Sequence, residues 1–177
     1  MKKIALLLCG IFIYLASFGQ AVSERAVIPV SVNLISILRL TIVSGGNIEF
    51  TFTSIDDYNS GITGLSTVFE VASSQDFDVN ASADAATLAG TDDPTNTLAG
   101  NTVELDVTVD DGDGVAIVGG TDIATIGAGA TVIVNGGTAG TTHSCTIDWE
   151  CGVTNPVTGV EPDRYATNVY LTVGPDL

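Results

Sequence analysis

Apolar and polar residues alternate along much of the chain with the two-residue period of a β-strand. In residues 102–109 (TVELDVTV), every second residue is apolar, from Val103 to Val109. This pattern is typical of a strand in an antiparallel sheet that buries one face. The same alternation predicts further strands over residues 47–53, 77–80, 131–135, 144–149 and 168–173.

Clusters of glycine, asparagine, aspartate and serine separate these apolar runs, as turns require. The clusters occupy residues 44–46, 59–61, 110–114, 119–120, 127–129 and 135–137. Asn135-Gly136 is a favourable hairpin-turn dipeptide, and the alanine-rich residues 82–88 can form one short helical turn. Many short strands with turn-rich connections predict an all-β fold, an antiparallel β-sandwich of roughly nine or ten strands.

The start of the chain has the pattern of an export signal. Lys2 and Lys3 precede an apolar core over residues 4–15, which is shorter than a membrane span requires. Small residues then predict cleavage after Gly19, with cleavage after Ala21 as the alternative. We therefore expect a secreted protein with a signal peptide over residues 1–19 and no membrane span in the mature chain.

The residues after the signal contain another apolar alternation. Residues 26–34 (AVIPVSVNL) place Ile28, Val30, Val32 and Leu34 on one face. This segment is either the first strand of the protein's own sheet or a strand that inserts into the sheet of another molecule. The proline within it is compatible with a strand at a sheet edge.

The length of the mature chain fits one domain. About 158 residues remain after cleavage, enough to bury one core. We assign residues 20–34 to an N-terminal extension that carries the apolar segment, and residues 35–177 to the β-sandwich domain.

The mature chain is strongly acidic. Both lysines belong to the signal, so three arginines face 21 acidic residues and the net charge is about −18. Such a surface repels the phosphates of nucleic acids and anionic lipids, so we expect no nucleic acid partner. The absence of lysine from the mature chain also excludes lysine isopeptide bonds and Schiff-base chemistry.

Residue patterns typical of an active site are sparse. The chain has a single histidine, His143, and no Gly-x-Ser-x-Gly motif, so a Ser-His-Asp hydrolase is not indicated. Carboxylates are abundant, but the sequence shows no apolar pocket that would tune one of them as a general acid. We expect no enzymatic activity.

The DDGDG stretch at residues 110–114 is the strongest candidate for a cation site. Calcium prefers several oxygen ligands on a tight glycine turn, which makes Asp110, Asp111 and Asp113 candidate ligands of a weak calcium site. The ligand spacing of a full EF-hand loop is absent. The alternative is a solvated acidic hairpin turn, in which case no cofactor is expected.

Cys145 and Cys151 are the only cysteines of the mature chain. In an exported protein, two cysteines six residues apart most simply form a disulfide, and we predict one between them. A metal site built on the two thiols is the alternative, with His143 as the only other soft ligand.

Four segments resemble exported β-sandwich pilin-like subunits of Gram-negative bacteria. They are the apolar strand at residues 26–34, LTIVSGGNIEFTF (40–52), FEVASSQDFDVNASA (69–83) and the closing DRYATNVYLTV (163–173). The resemblance is to the strand-complemented class, which includes spore-coat-U-like and chaperone–usher-like pilins with an immunoglobulin-like sandwich. It implies a structural subunit that polymerises head to tail with its own copies, by strand donation, into an extracellular appendage on the cell surface.

Under this interpretation the donor strand lies within residues 26–34, and its four apolar residues are the inserted side chains. Arg25 directly precedes it, and some pilins that the chain resembles are trimmed after an arginine. Arg25 is therefore a candidate processing site beside Gly19, unless it only separates signal from domain. The alternative function is a monomeric, secreted adhesive domain that recognises a glycan or a protein.

Overall fold

The computed structural model describes residues 28–110, 115–116 and 121–176, with the main chain alone at 115–116. The chain divides into two units, Met1–Leu34 and Ile35–Leu177. The described strands and helices all belong to the second unit.

Twelve strands form most of the second unit within the described residues. They span Leu38–Ser44 (β1), Ile62–Ser73 (β2), Phe77–Ala83 (β3), Thr87–Gly90 (β4), Thr97–Ala99 (β5), Val103–Val109 (β6), Val115–Ala116 (β7), Thr121–Asp122 (β8), Thr131–Gly137 (β9), Gly140–Cys151 (β10), Tyr165–Ala166 (β11) and Val169–Pro175 (β12). Three of these have only two residues, so the number of longer strands agrees with the predicted nine or ten.

Antiparallel pairing joins these strands into three sheets. One has five strands in the order β1-β2-β10-β6-β8, and a second has four in the order β12-β3-β9-β7. A small third sheet has the order β11-β4-β5. Side chains from the two larger sheets share one hydrophobic core, which confirms the predicted all-β antiparallel sandwich.

Alternate residues of the central strands build this core. β10 buries every second residue along its second half: Cys145, Ile147, Trp149 and Cys151. β6 does the same with Val103, Leu105 and Val107, as its sequence predicts. Full burial of a large aliphatic side chain contributes about 1.5–3 kcal/mol, so these two adjacent strands anchor the five-stranded sheet.

Two six-residue helices, α1 (Ile55–Ser60) and α2 (Ile123–Ala128), lie between strands. α1 begins at a capping box in which Ser54 Oγ accepts from the Asp57 N–H (3.2 Å) and the Asp57 carboxylate accepts from the Ser54 N–H (2.8 Å). Helices this short depend on caps and tertiary contacts. No helix in the described part of the chain is long and apolar enough to cross a membrane.

Three local predictions are corrected by the fold. Residues 47–53 are not part of a described sheet, although their apolar side chains alternate as predicted. Residues 82–88 form no helical turn, since β3 extends to Ala83 and β4 begins at Thr87. Asn135-Gly136 lies within β9, where Gly136 (φ 65°) sits at a bulge opposite β3, and not in a hairpin turn.

The predicted disulfide between Cys145 and Cys151 is also wrong. Both cysteines lie on β10, six residues apart along one strand. At about 3.3 Å per residue their Cα atoms are roughly 20 Å apart, whereas a disulfide requires about 7 Å or less. Both side chains are buried in the core, and burial raises the pKa of the Cys151 thiol to about 11.

Candidate functional site: an open apolar groove

The two larger sheets each end in a strand with one open edge, and these two strands are in contact. β1 is the last strand of the five-stranded sheet, and β12 is the last strand of the four-stranded sheet. Within the described residues, no strand pairs with the outer edge of either. Leu40 of β1 and Val169 and Leu171 of β12 pack against the core but are only partly buried. The sandwich is therefore open along this side.

Residues 46–52, here called the strap, line the same open side between Gly45 and the start of α1. Alternate strap residues Ile48, Phe50 and Phe52 are partly buried against the core, and the residues between them are exposed. No main-chain N–H or C=O group of the strap is hydrogen-bonded to another described residue. The strap thus has the side-chain pattern of a strand without a pairing partner.

The strap, β1 and β12 border an apolar groove of about 1000 Å³. Its floor consists of buried core side chains: Leu88, Leu98, Ile123, Ile147 and Trp149. Residues 160–171 form a further wall. Pockets that hold drug-sized ligands measure about 300–1000 Å³, so the groove has room for several aliphatic side chains.

Trp149 links the groove floor to the beginning of the strap. Its indole N–H donates to Thr67 Oγ1 (3.0 Å), and the Thr67 hydroxyl donates to the Gly45 carbonyl (2.6 Å). Gly45 has φ 65°, and a Cβ there would overlap the Ser66 carbonyl oxygen. Only glycine therefore lets the chain leave β1 so close to β2.

Replacing Thr67 by valine is expected to lower the free energy of unfolding by about 1–3 kcal/mol, because the buried indole N–H loses its acceptor while the shape of the side chain is kept. Urea unfolding followed by the fluorescence of Trp149, the single tryptophan, measures this. Thr172→Val, on the exposed face of β12, is the matched control. Equal losses in the two variants would contradict a special role for the Thr67 hydroxyl.

Asp163 fastens one wall of the groove to a neighbouring loop. Its carboxylate accepts four hydrogen bonds of 2.7–3.1 Å, from the main-chain N–H groups of Asp92, Asp93 and Arg164 and from the side-chain amide of Asn96. These bonds lower the pKa of Asp163 to about 2, and the bond from the Asp92 N–H has the largest effect. Residues 92–96 are thereby held against the wall that Asp163 helps to form.

This carboxylate should make stability depend on pH in the acid range. Its folded-state pKa of about 2 lies below the ordinary 3.8, so its contribution is present above about pH 4 and is lost as the pH falls through 2. The urea midpoint of Asp163→Asn should lie below that of the parent chain at pH 7, and the gap should narrow towards pH 2. Asp176→Asn serves as control. A gap that stays constant across this range would contradict the assignment.

The predicted donor side chains are among the most exposed large apolar side chains of the described residues. Their exposed fractions are 82% for Ile28, 83% for Val30, 77% for Val32 and 89% for Leu34. Residues 28–34 belong to no described strand. Large exposed apolar patches are uncommon on monomeric soluble proteins, so this segment is a candidate interaction surface.

The other predicted site residues lie away from the groove or outside the described residues. Asp110 accepts hydrogen bonds from the hydroxyls of Ser144 (3.0 Å) and Thr146 (2.9 Å), which tie the end of β6 to β10. Asp111 and Asp113 are outside the described residues, so the calcium site stays a prediction. In the part of the chain that the structure describes, no group of three or more histidine, cysteine or acidic side chains could hold a metal ion.

Gly19 and Arg25, the predicted processing sites, also lie outside the described residues. His143 lies on β10, buried with its ring centroid 5.3 Å from that of Phe77.

The sequence led us to expect an acceptor groove in the sandwich, but it did not indicate which residues line it. The alternation of residues 47–53 indicated one apolar face, but it did not reveal that their main chain lacks a partner. The floor residues come from β4, β5, α2 and β10, which are distant in sequence. No local pattern brings them together.

Comparisons with known proteins give a distant structural likeness. No family model matches the chain, and no curated protein matches it. Among solved structures, the chain is similar to the CooA pilin subunit from enterotoxigenic Escherichia coli, at 16% sequence identity and a TM-score of 0.36. The match covers 67% of this chain and 72% of that chain.

Proposed function

We propose that this protein is the structural subunit of an extracellular filament, and that each copy inserts its residues 26–34 into the groove of the next copy. The observation that carries the proposal is an apolar groove between two unpaired sheet edges, in a chain that also exposes a strand-like apolar segment. Among the described residues, no strand pairs with either open edge at the groove, and residues 28–34 belong to no sheet.

The chemistry of the two surfaces is complementary. A strand entering the groove can pair its main chain with an open edge and place alternate side chains on the apolar floor. Ile28, Val30, Val32 and Leu34 supply four such side chains, which are 77–89% exposed in the chain as it stands. Burial of each would contribute about 1.5–3 kcal/mol, and this gain favours assembly over separate subunits.

The symmetry of the contact leads to a filament. Donor and acceptor are different surfaces, so the contact is heterologous, and each copy can donate in one direction and accept in the other. Unless the rotation closes a ring, such contacts produce an open polymer. Cleavage after Gly19, or after Arg25, would leave the donor strand at the free end of the mature chain.

A synthetic peptide of residues 26–37 tests this function. Added to the mature chain, it should occupy the groove, change the fluorescence of Trp149 on the groove floor and shorten or prevent polymers. A peptide with aspartate in place of Val30 and Val32 is the matched control. A mature chain that stays monomeric and ignores both peptides would favour the alternative, a secreted domain that binds a glycan or protein through its loops.

A further inference from the structure

We infer that the strap (residues 46–52) is a hinged closure: without a bound strand it exchanges between the open conformation seen here and one that covers the groove floor, and a bound strand holds it open. This inference rests on the proposed function for its purpose, but the movement itself can be measured without any ligand. It assigns the strap a regulatory role in addition to that of a wall.

Hydrogen bonds hold both ends of the strap, whereas the residues between them are held only by side-chain packing. At one end, Thr67 holds the Gly45 carbonyl at 2.6 Å. At the other, the Asp57 carboxylate accepts from the main-chain N–H groups of Thr53 (2.7 Å) and Ser54 (2.8 Å). The seven strap residues make no main-chain hydrogen bond to the described residues, so the strap can move without breaking a ladder.

The side chains of the strap favour closure. Ile48, Phe50 and Phe52 point towards the groove but are only partly buried. An empty apolar groove in water is unfavourable, and inward movement of the strap would bury these side chains on the floor. At the α1 end, the Phe52 ring already packs on Tyr58, with centroids 5.1 Å apart. Phe50, in the middle, is therefore the side chain best placed to fill the groove.

Gly46 is the hinge that can be altered without strain. Its φ lies outside the left-handed region, and a Cβ there would meet only Ile42 Cγ2, at 3.6 Å. Alanine at this position therefore fits the observed open conformation and restricts the alternatives. Gly→Ala substitutions of this kind favour the compatible conformation by an amount that corresponds to a factor of about two to five.

A strap that opens and closes should affect the rate at which a strand associates with the groove. A groove that is open for only a fraction of the time binds its strand more weakly by that fraction. Variants that favour the open strap should then speed association. A passive wall would behave differently, since loss of a wall contact with the bound strand mainly raises the dissociation rate.

The test uses the full chain with Val30→Asp and Val32→Asp, which keeps the groove and disables donation. Gly46→Ala and Phe50→Ala are added separately to this parent, and Gly129→Ala is the control, since a Cβ at Gly129 would meet nothing within 4 Å. Stopped-flow fluorescence of Trp149 follows association of the 26–37 peptide. We expect Gly46→Ala to raise the association rate about two- to fivefold, Phe50→Ala to raise it as well, and Gly129→Ala to leave it unchanged.

A second measurement needs no peptide. The apolar dye ANS becomes fluorescent on exposed hydrophobic surface, and its fluorescence with the unliganded chain should rise in Gly46→Ala and Phe50→Ala relative to the parent and to Gly129→Ala. Unchanged dye binding and unchanged association rates would overturn the strap inference while leaving strand donation intact. Increased dye binding without any peptide binding would sustain the strap and refute the proposed function.

Discussion

Replacing Val30 and Val32 together by aspartate is expected to abolish self-assembly of the mature chain. Each substitution removes the burial of a valine, about 1.5 kcal/mol or more, and would place an unpaired carboxylate on an apolar floor. The loss of at least about 3 kcal/mol corresponds to more than a hundredfold in affinity. Size-exclusion chromatography with light scattering should show a monomer where the parent chain forms high-mass polymers.

The matched control adds the same charge to the other face of the same segment. Ser31→Asp with Asn33→Asp keeps the four apolar side chains, so it should still assemble, with slower growth where like charges repel. If both double variants stop assembly equally, charge alone is the cause, and insertion of the alternate apolar residues is contradicted. If neither stops it, residues 26–34 are not the donor.

Replacing Leu171 by aspartate is expected to block the acceptor side with an equally large effect. Leu171 lines the groove from β12, and its side chain packs against the core. A carboxylate there would oppose entry of an apolar strand. Thr172→Asp, on the exposed face of the same strand, should assemble normally. Circular dichroism and urea unfolding establish that both variants are folded before their assembly is compared.

Mixing the donor-deficient variant with the acceptor-deficient variant gives a more specific test of the contact. A chain with Leu171→Asp still carries an intact donor, and a chain with Val30→Asp and Val32→Asp still carries an intact groove. Mixed in equal amounts, they should form one-to-one dimers that do not grow, because each dimer lacks a free donor and a free acceptor. Mixtures that remain monomeric, or that polymerise, would contradict a contact made of one donor and one groove.

The sequence predicts the sandwich well because a strand with one buried face shows an alternation of apolar and polar residues that can be recognised locally. β6 and β10 alternate buried and solvent-facing residues with period two, and both were recognisable from that period. α1 and α2 were not predicted, since six residues are too few to display a helical stripe. Only the Ser54 and Asp57 cap marks the first of them, and such pairs are common by chance.

In the case of the disulfide, two features of the sequence pointed to different structures: the spacing of the cysteines and the alternation of apolar residues. Cysteine spacing favoured a bond between Cys145 and Cys151. However, Cys145 shares one face of the predicted strand at residues 144–149 with Ile147 and Trp149, and Cys151 continues that alternation two residues further on. A continuous strand keeps such residues apart. The alternation was the better guide to the structure, because one continuous strand accounts for the apolar residues and for both cysteines.

The lining of the groove could not be predicted because it depends on main-chain pairing between distant segments. Alternation over residues 47–53 reports which side chains turn inwards, and it gives no information on whether the main chain has a neighbour. The same holds for residues 28–34, whose pattern suits an internal strand and a donated strand equally. Only the arrangement of β1, β12 and the strap shows that, within the described residues, these edges have no partner strand.

Cryo-electron microscopy of the assembled, secreted material tests strand donation most directly. Strand donation predicts filaments in which an extended segment lies in each groove, bordered by the strap and β12. Ile28, Val30, Val32 and Leu34 should lie on the floor, with continuous density to the neighbouring subunit. Grooves that are empty, or filled by the subunit's own residues 26–34, would contradict it, as would material consisting only of dispersed single subunits.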